Sequence, residues 1–591
     1  MLYSVLVGAV GAFAAILFAH MVDLSSDFFM GELAGNVVPI PGGEAPDDYN
    51  FSLERSLNPL RRWLIPILPV IGGLLSGWVV YRFAPDAQGA GTDAVIRAFH
   101  RENSVINARV PLVKGVASAL TIGSGGSAGR EGPIAQIGAA LATLIAQKLH
   151  LSDRERRILL VAGIAAGISS IFRSPLGGAF FAVEVLYRED LEAEALMPAV
   201  VAGITGYSIY SSLEGSSTVF TTPEFAFVNP LELLPLILFA LVCAVTGIFF
   251  VRVFESTRRA FNRLSVPLVL KPALGGLAVG CIAFFFPPIL GSSYGWLQQA
   301  IDGSLPLALM ASLVLLKIVA TSLTIGSGGS GGDFAPSIVI GGMLGGIFGE
   351  GLHRLIPVLG TQPEAYVMIG MATFLSGVAN VPIATTVMIS EMTGSYTLLV
   401  PLLLAGVLTH IITRKWSIYP EQVRTSNESP AHRLDLTPDL LSSVRLRSVI
   451  EHPVYFHTLE PSHTLSEMLD VFARTREVIL PVAEPVTDGQ QKDPPRYTGL
   501  VLLDDVQSLL RSGSTLQHLI VAHDVQVQFA SVSLEDTLDK VLDKFLQTQY
   551  PELPVLDEKG VIVGFVRQGQ VISEYYRAYV RRKAEEQENI G

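Results

Sequence analysis

The sequence predicts an α-helical membrane protein made of two similar halves with interrupted helices, followed by a smaller soluble domain of mixed α/β type. Three observations carry this. Half of the 591 residues are apolar and 16% are charged, with a mean hydropathy of +0.46; soluble globular chains carry about 25% charged residues. A thirteen-residue glycine-rich motif occurs twice, as Thr121-Ile-Gly-Ser-Gly-Gly-Ser-Ala-Gly-Arg-Glu-Gly-Pro133 and Thr324-Ile-Gly-Ser-Gly-Gly-Ser-Gly-Gly-Asp-Phe-Ala-Pro336, with nine identical positions at an offset of 203. Hydropathy then changes sharply near Tyr419.

Taken in order, apolar segments cover 2–22, 63–84, 160–186, 195–212, 232–252, 269–290, 305–325, 365–390 and 396–413. Several match the ~20 residues that cross a bilayer, and the shorter apolar stretches between them read as partial or broken spans. Met1–Met21 lacks the basic start and small-residue cleavage site of a signal peptide and reads as a span. A net charge of −12, a pI near 5.5 and the lack of a basic run argue against nucleic acid. Cys243 and Cys281 sit in apolar stretches and read as packing residues, and the eleven histidines show no ligand spacing, so no metal site is expected.

The domain organisation follows: a membrane domain at 1–420, a polar, turn-rich linker at 421–445, and a soluble pair of half-domains at 446–513 and 514–578, with a charged tail at 579–591. The pair is itself a duplication, because Leu480-Pro-Val482 with Gly499-Leu-Val501 echoes Leu553-Pro-Val555 with Gly564-Phe-Val566. The membrane repeat also extends beyond the glycine motif. Ser174-Pro-Leu-Gly-Gly through Glu184 aligns with Val381-Pro-Ile-Ala-Thr through Glu391 at an offset of 207, and Pro198 with Ala202-Gly203 matches Pro401 with Ala405-Gly406. The repeat alone leaves open whether the halves are parallel or inverted.

Glycine-rich backbone at membrane depth is tolerable only where protein buries it or where it lines a cavity. Paired interruptions in two halves point to a transport site. Gly129-Arg-Glu-Gly-Pro133 opens a helix whose unpaired N–H groups and partial positive charge suit an anion. Gly332-Asp-Phe-Ala-Pro336 repeats the arrangement, so two helix N-termini from two half-chains would replace part of an anion's hydration. Glu131 is the outstanding side chain, an ionisable group at membrane depth whose carboxylate would occupy the anion's place and block the route. Arg130 beside it would favour anion entry. The competing readings are glycines serving only helix packing and a structural Glu131–Arg130 pair. The Gly-Lys-Ser/Thr ending of a nucleotide loop is missing.

These residues resemble the CLC family of chloride channels and chloride/proton antiporters over essentially the whole chain. Gly129-Arg-Glu-Gly-Pro133 is similar to the family's Gly-Lys/Arg-Glu-Gly-Pro motif, Gly332-Asp-Phe-Ala-Pro336 to its Gly-x-Phe-x-Pro motif, and Tyr419 to its pore tyrosine. The soluble tail resembles the paired CBS domains of many members. The resemblance implies a CLC-type inverted-repeat domain with broken helices, a cytoplasmic α/β CBS tandem, and a homodimer in the lipid bilayer, most simply the cell membrane, with one pore per subunit. It implies Glu131 as the gating glutamate. Anion-binding groups would come from Arg130, Glu131 and Gly132, from Phe334 and Ala335, from Tyr419, and from Gly89, Ala90 and Gly91. Arg414 and Lys415 fit a cytoplasmic tail.

Two departures qualify it. Gly89-Ala-Gly-Thr-Asp-Ala94 stands where the family typically has Gly-Ser-Gly-Ile-Pro-Glu, so Ala90 removes a serine hydroxyl from the central anion site. Val185 follows Glu184 where many antiporters carry a second glutamate as internal proton acceptor, so that proton position is lost. Glu184 and Glu391, matched across the repeat, suggest a shared structural role. The expectation is therefore passive chloride conduction gated by Glu131, with chloride/proton antiport through the same path as the alternative. In this reading the first glycine motif supplies the gate, and the second supplies amides and no proton carrier. A third reading is a membrane-bound nucleotide sensor whose CBS pair is the main output. Adenine nucleotide would bind near Asp505, but neither half has the hydroxyl residue such sites often carry, and Arg567 and Gln570 leave the second half without an acid. No enzymatic activity and no required cofactor are expected; chloride and other small anions are the transported ions.

Overall fold

The computed structural model describes residues 1–45, 51–223, 225, 233–356, 362–432, 441–442, 444–449, 456–484, 495–511 and 519–588. The chain divides into two compact units, Met1–Arg433 and Leu434–Gly591. Residues 433–440 and 443 of the expected linker lie outside the described residues, as do 450–455, 485–494 and 512–513 of the expected first half-domain and 589–591 of the tail.

Counting helices of eight residues or more, the first half of the membrane unit runs α1 Leu2–Ser26, α2 Leu68–Phe83, α3 Thr92–Arg101, α4 Val110–Gly123, α5 Glu131–Lys148, α6 Asp153–Phe172, α7 Pro175–Glu184 and α8 Leu196–Glu214. The second half repeats the order: α9 Leu233–Arg263, α10 Lys271–Phe285, α11 Tyr294–Ile301, α12 Leu307–Gly326, α13 Phe334–Leu355, α14 Pro363–Ala379, α15 Pro382–Thr393 and α16 Leu399–Thr413. Among the described residues, seven helical stretches are long and apolar enough to cross a bilayer.

Two apolar tracts that read as single segments, 160–186 and 365–390, are each broken in the structure. Arg173 (φ 52°) and Asn380 (φ 60°) cap α6 and α14 in the left-handed conformation. Pro175 and Pro382 then restart the chain as α7 and α15, each at a first turn where the missing N–H costs nothing. Hydropathy does not register such a break, because both sides of it are apolar.

The halves meet about a local two-fold axis. Gly129 N–H donates to Gly332 O (2.8 Å) and Gly332 N–H to Gly129 O (2.7 Å), an antiparallel bridge between equivalent residues. Ser118 Oγ meets Ser330 Oγ (2.9 Å) and Ser127 Oγ meets Thr321 Oγ1 (3.0 Å), the same pair made twice, since Ser118 is equivalent to Thr321 and Ser127 to Ser330. Reciprocal contacts of this kind relate the halves by a two-fold rotation.

The start of the expected linker is not free chain. Residues 420–432 pack on the membrane unit: Arg188 N–H donates to Val423 O and Glu189 N–H to Arg424 O, Glu421 N–H donates to Asp93 Oδ1, and His100 Nδ1 meets Ser429 Oγ at 2.8 Å.

Among the described residues, the second unit holds two three-stranded sheets: β1 Ile479–Ala483, β2 Tyr497–Leu502 and β3 Val527–Gln528; and β4 Val532–Ser533, β5 Glu552–Leu556 and β6 Ile562–Arg567. The sequence echo is a register echo. Leu480 pairs Val501 and Val482 pairs Gly499, as Leu553 pairs Val566 and Val555 pairs Gly564, and both ladders shift register immediately afterwards. Helices α17 Leu465–Thr475 and α18 Leu503–Arg511 flank the first hairpin; α19 Leu538–Thr548 and α20 Gln568–Glu588 flank the second. Packing divides the unit differently from the 446–513 and 514–578 expected: Ala522 belongs to the first core, while Leu441 and Leu446 join Val541 and Val566 in the second. The segment expected as a separate charged tail continues α20 as far as Glu588.

Candidate functional site

The glycine motifs place the N-termini of α5 and α13 at the two-fold axis, and Glu131 lies there, 1% exposed. Tyr294 donates its hydroxyl to Glu131 Oε1 at 2.7 Å. Oε2 makes no direct hydrogen bond, and the Ala335 backbone N–H acts on the carboxyl group from the first turn of α13. The carboxylate thus lies across the Gly129–Gly332 bridge, against the first turn of the opposite helix. One glycine makes room for it and a second makes room for the 89–91 loop. A Cβ on Gly129 would fall 1.9 Å from Glu131 Oε2, and one on Gly132 would fall 2.0 Å from the Ala90 carbonyl. Those glycines serve the carboxylate and the 89–91 loop rather than helix packing.

Arg130 is not paired with Glu131. Its guanidinium donates to Glu44 Oε1 at 2.8 Å, on the wall of a cavity of about 670 Å³ that Asp23, Arg173, Tyr210 and Tyr294 also line. The charge expected to attract anions is therefore largely neutralised by Glu44, which a motif-based reading had no means of locating.

The 89–91 loop joins the site through its backbone. Gly89 and Gly91 adopt φ +68° and +91°, and the Ala90 carbonyl is wedged against Gly132. Lys114, fully buried, holds the loop by donating to Ala87 O (3.1 Å) and Gly89 O (2.7 Å). Lys317 does the same in the other half, donating to Ile289 O, Gly291 O and Ser293 Oγ. Sequence reasoning missed both lysines, although each stands seven residues before its glycine motif and an intramembrane lysine recurring at the repeat offset was the available signal.

Tyr419 is fully buried, with its N–H on Ser417 Oγ. Its hydroxyl, expected to face an anion, donates to Asp333 Oδ1 at 2.9 Å. Asp333 is 1% exposed and its Oδ2 makes no direct hydrogen bond. The second motif, expected to supply amides, also holds a buried carboxyl at the residue before α13. Thr92, at the start of α3, turns its side chain to Tyr419 and restores a hydroxyl near the place where Ala90 has none. Phe334 packs its ring against Phe172 and Phe181 (centroids 5.4 and 5.6 Å).

Glu184 and Glu391 have the same task in opposite halves. Glu184 accepts from Ile383 N–H and Ala384 N–H (3.2 and 2.7 Å) at the start of α15. Glu391 accepts from Leu176 N–H, Gly177 N–H and Ser174 Oγ at the start of α7. Each carboxylate thus caps the other half's broken helix. Val185 is fully buried at the end of α7, its carbonyl held by Gln422 Nε2 at 2.8 Å. In the second unit, Asp505 lies in the first turn of α18.

Comparison with known proteins decides the family. The profile described as "Voltage gated chloride channel" matches residues 72–414. The chain belongs to the voltage-gated chloride channel (CLC) family. A profile described as "CBS domain" matches residues 522–577. A CLC relative, the voltage-gated ClC-type chloride channel ClcB of Escherichia coli, is 30% identical over 417 residues, covering 70% of this chain and 95% of its own. The fold matches a slow cyanobacterial Cl⁻/H⁺ antiporter (TM-score 0.62, 22% identity, 70% of this chain and 94% of that one). It also matches a eukaryotic CLC transporter across 96% of this chain and 97% of that one (TM-score 0.57, 18% identity). The chain is thus a multi-pass CLC anion transporter with a CBS region, its helical inverted-repeat fold shared with these structures.

Proposed function

We propose that this CLC protein conducts chloride passively, through one pore in each subunit of a homodimer, with Glu131 as the gate. The observation that carries it is the Glu131 carboxylate lying across the Gly129–Gly332 bridge at the first turn of α13. A carboxylate held there excludes a second anion from the same donors. When it is protonated or swings out, the helix N-termini and the amides of Gly132, Phe334 and Ala335 are released to chloride. Multi-site, partial-charge coordination of this kind is weak enough to let the ion leave. Gly89, Ala90 and Gly91 take part by shaping the floor under Gly132, and Tyr419 by presenting its hydroxyl.

Val185 supports conduction over antiport, because an apolar side chain cannot carry a proton. Antiport is the second reading, and the observation that favours it is the buried Asp333 carboxyl. Chloride reversal potentials in a reconstituted bilayer with symmetric chloride and a pH gradient separate the two. Passive conduction predicts no shift; a reversal potential that follows the pH gradient overturns it. Glu131→Gln should keep anion flux and abolish any chloride movement driven by a pH gradient.

We place the CBS pair on the cytoplasmic side of the cell membrane, following the basic Arg414-Lys415 pair after α16. Adenine nucleotide binding near Asp505 is a regulatory role for this pair. Nucleotide binding that left chloride flux unchanged would instead favour a sensor whose output is the CBS pair itself.

A further inference from the structure

The second glycine motif carries a carboxyl that the gate does not use. Asp333 is buried, is held on one oxygen by the Tyr419 hydroxyl at 2.9 Å, and leaves its other oxygen without a direct hydrogen bond. The groups that face it come from four places: Glu131 on α5, Asp93 on α3, Lys114 on α4, and Tyr419 itself, which Thr92 also faces. Two of these are carboxylates within electrostatic range. The cation among them, Lys114, spends its hydrogen bonds on Ala87 O and Gly89 O and acts on Asp333 from a distance. A hydroxyl donor beside the N-terminus of a broken helix is the environment a chloride ion would take. Here a tethered carboxylate takes it.

We infer that Asp333 is a built-in competitor for chloride at the Tyr419 hydroxyl, so that chloride enters this position only together with a proton on Asp333. The exchange balances. The carboxylate takes up one proton and becomes neutral, the Tyr419 O–H is released from it, and one chloride takes its place; the reverse step returns both ions. Glu131 and Asp333 then form two carboxyl positions along one path, each held by a tyrosine hydroxyl, Tyr294 for the first and Tyr419 for the second. Because each ionised carboxyl raises the energy of the other, they empty in sequence rather than together. The inference rests on the chloride-transport reading, and it makes chloride affinity, not only gating, dependent on protons. Val185 carries no acid at the position after Glu184, and Asp333 provides a carboxyl from the opposite half.

Isothermal titration with chloride tests it on the purified full-length protein, in a Glu131→Gln background so that the gate does not titrate. Where Asp333 is ionised, the chloride Kd should rise about tenfold for each unit of pH, since one proton is bound per chloride. The additional change Asp333→Asn should make the Kd flat with pH. If that protein fails to fold, Asp333→Ser serves, as it also removes the carboxyl. A Kd already flat in the Glu131→Gln protein overturns the inference, and so does a slope that survives removal of the carboxyl. Chloride binding absent from every variant at every pH overturns the transport reading as well. Flat binding overturns only the role of Asp333.

Discussion

At the scale of single residues, the carboxylates decide what the proposed anion path can do. A motif reading singles out Glu131 from its neighbours, but the tyrosine that holds it lies 163 positions away and carries no local signal. A hydrogen bond to a buried charged group contributes about 1.5–3 kcal/mol. Tyr294→Phe removes that bond while keeping the ring, so chloride efflux from proteoliposomes should rise at a given pH, by roughly tenfold or more. Unchanged efflux would show that Tyr294 does not latch the gate. Arg130 teaches the converse lesson. Adjacent in sequence to Glu131, it points to Glu44, and an adjacent pair on a helix start does not have to face the same way.

At the scale of elements, the two broken helices depend on each other. Glu184 is 7% exposed and accepts two backbone N–H groups of α15. Glu184→Ala strips a buried helix start of its anionic cap, with an expected loss of about 2–4 kcal/mol, read as a lower unfolding temperature in detergent. Glu391→Ala should cost a similar amount, by the repeat, and a protein indifferent to both changes would contradict the capping role. In the second unit, the Thr464 amide and hydroxyl, which donate to Glu467, hold its carboxyl below the usual range. A lowered carboxylate contributes stability that is present above its unfolded value and is lost as pH falls through the folded one. Glu467→Gln should therefore flatten the acid limb of CBS unfolding. How much of this was legible depends on periodicity. The Leu-Pro-Val and Gly-x-Val echo was legible as a duplication, and the structure shows it to be a repeat of strand register, because each residue of a ladder has a fixed partner. The breaks at Arg173 and Asn380 were not legible from hydropathy. They are set by backbone conformation and by a cap from the other half, neither of which alters apolar content.

At the scale of the whole molecule, duplication builds one site from two unlike copies. The offset of 203 makes Gly129 equivalent to Gly332, Ser118 to Thr321 and Ser127 to Ser330, which the structure joins in reciprocal contacts, and it could have revealed Lys114 and Lys317. It could not show that position 333 matters, because there the copies differ and only the three-dimensional approach of Tyr419 gives Asp333 a role. The central claim is that the Glu131 carboxylate stands where an anion binds. The measurement closest to it is the anomalous scattering of bromide in crystals of the parent protein and of Glu131→Gln. The account predicts bromide beside the Gly129–Gly332 bridge and the first turn of α13 in the variant, and none at that position in the parent while the carboxylate holds it. Bromide there in both proteins, or in neither, would contradict it.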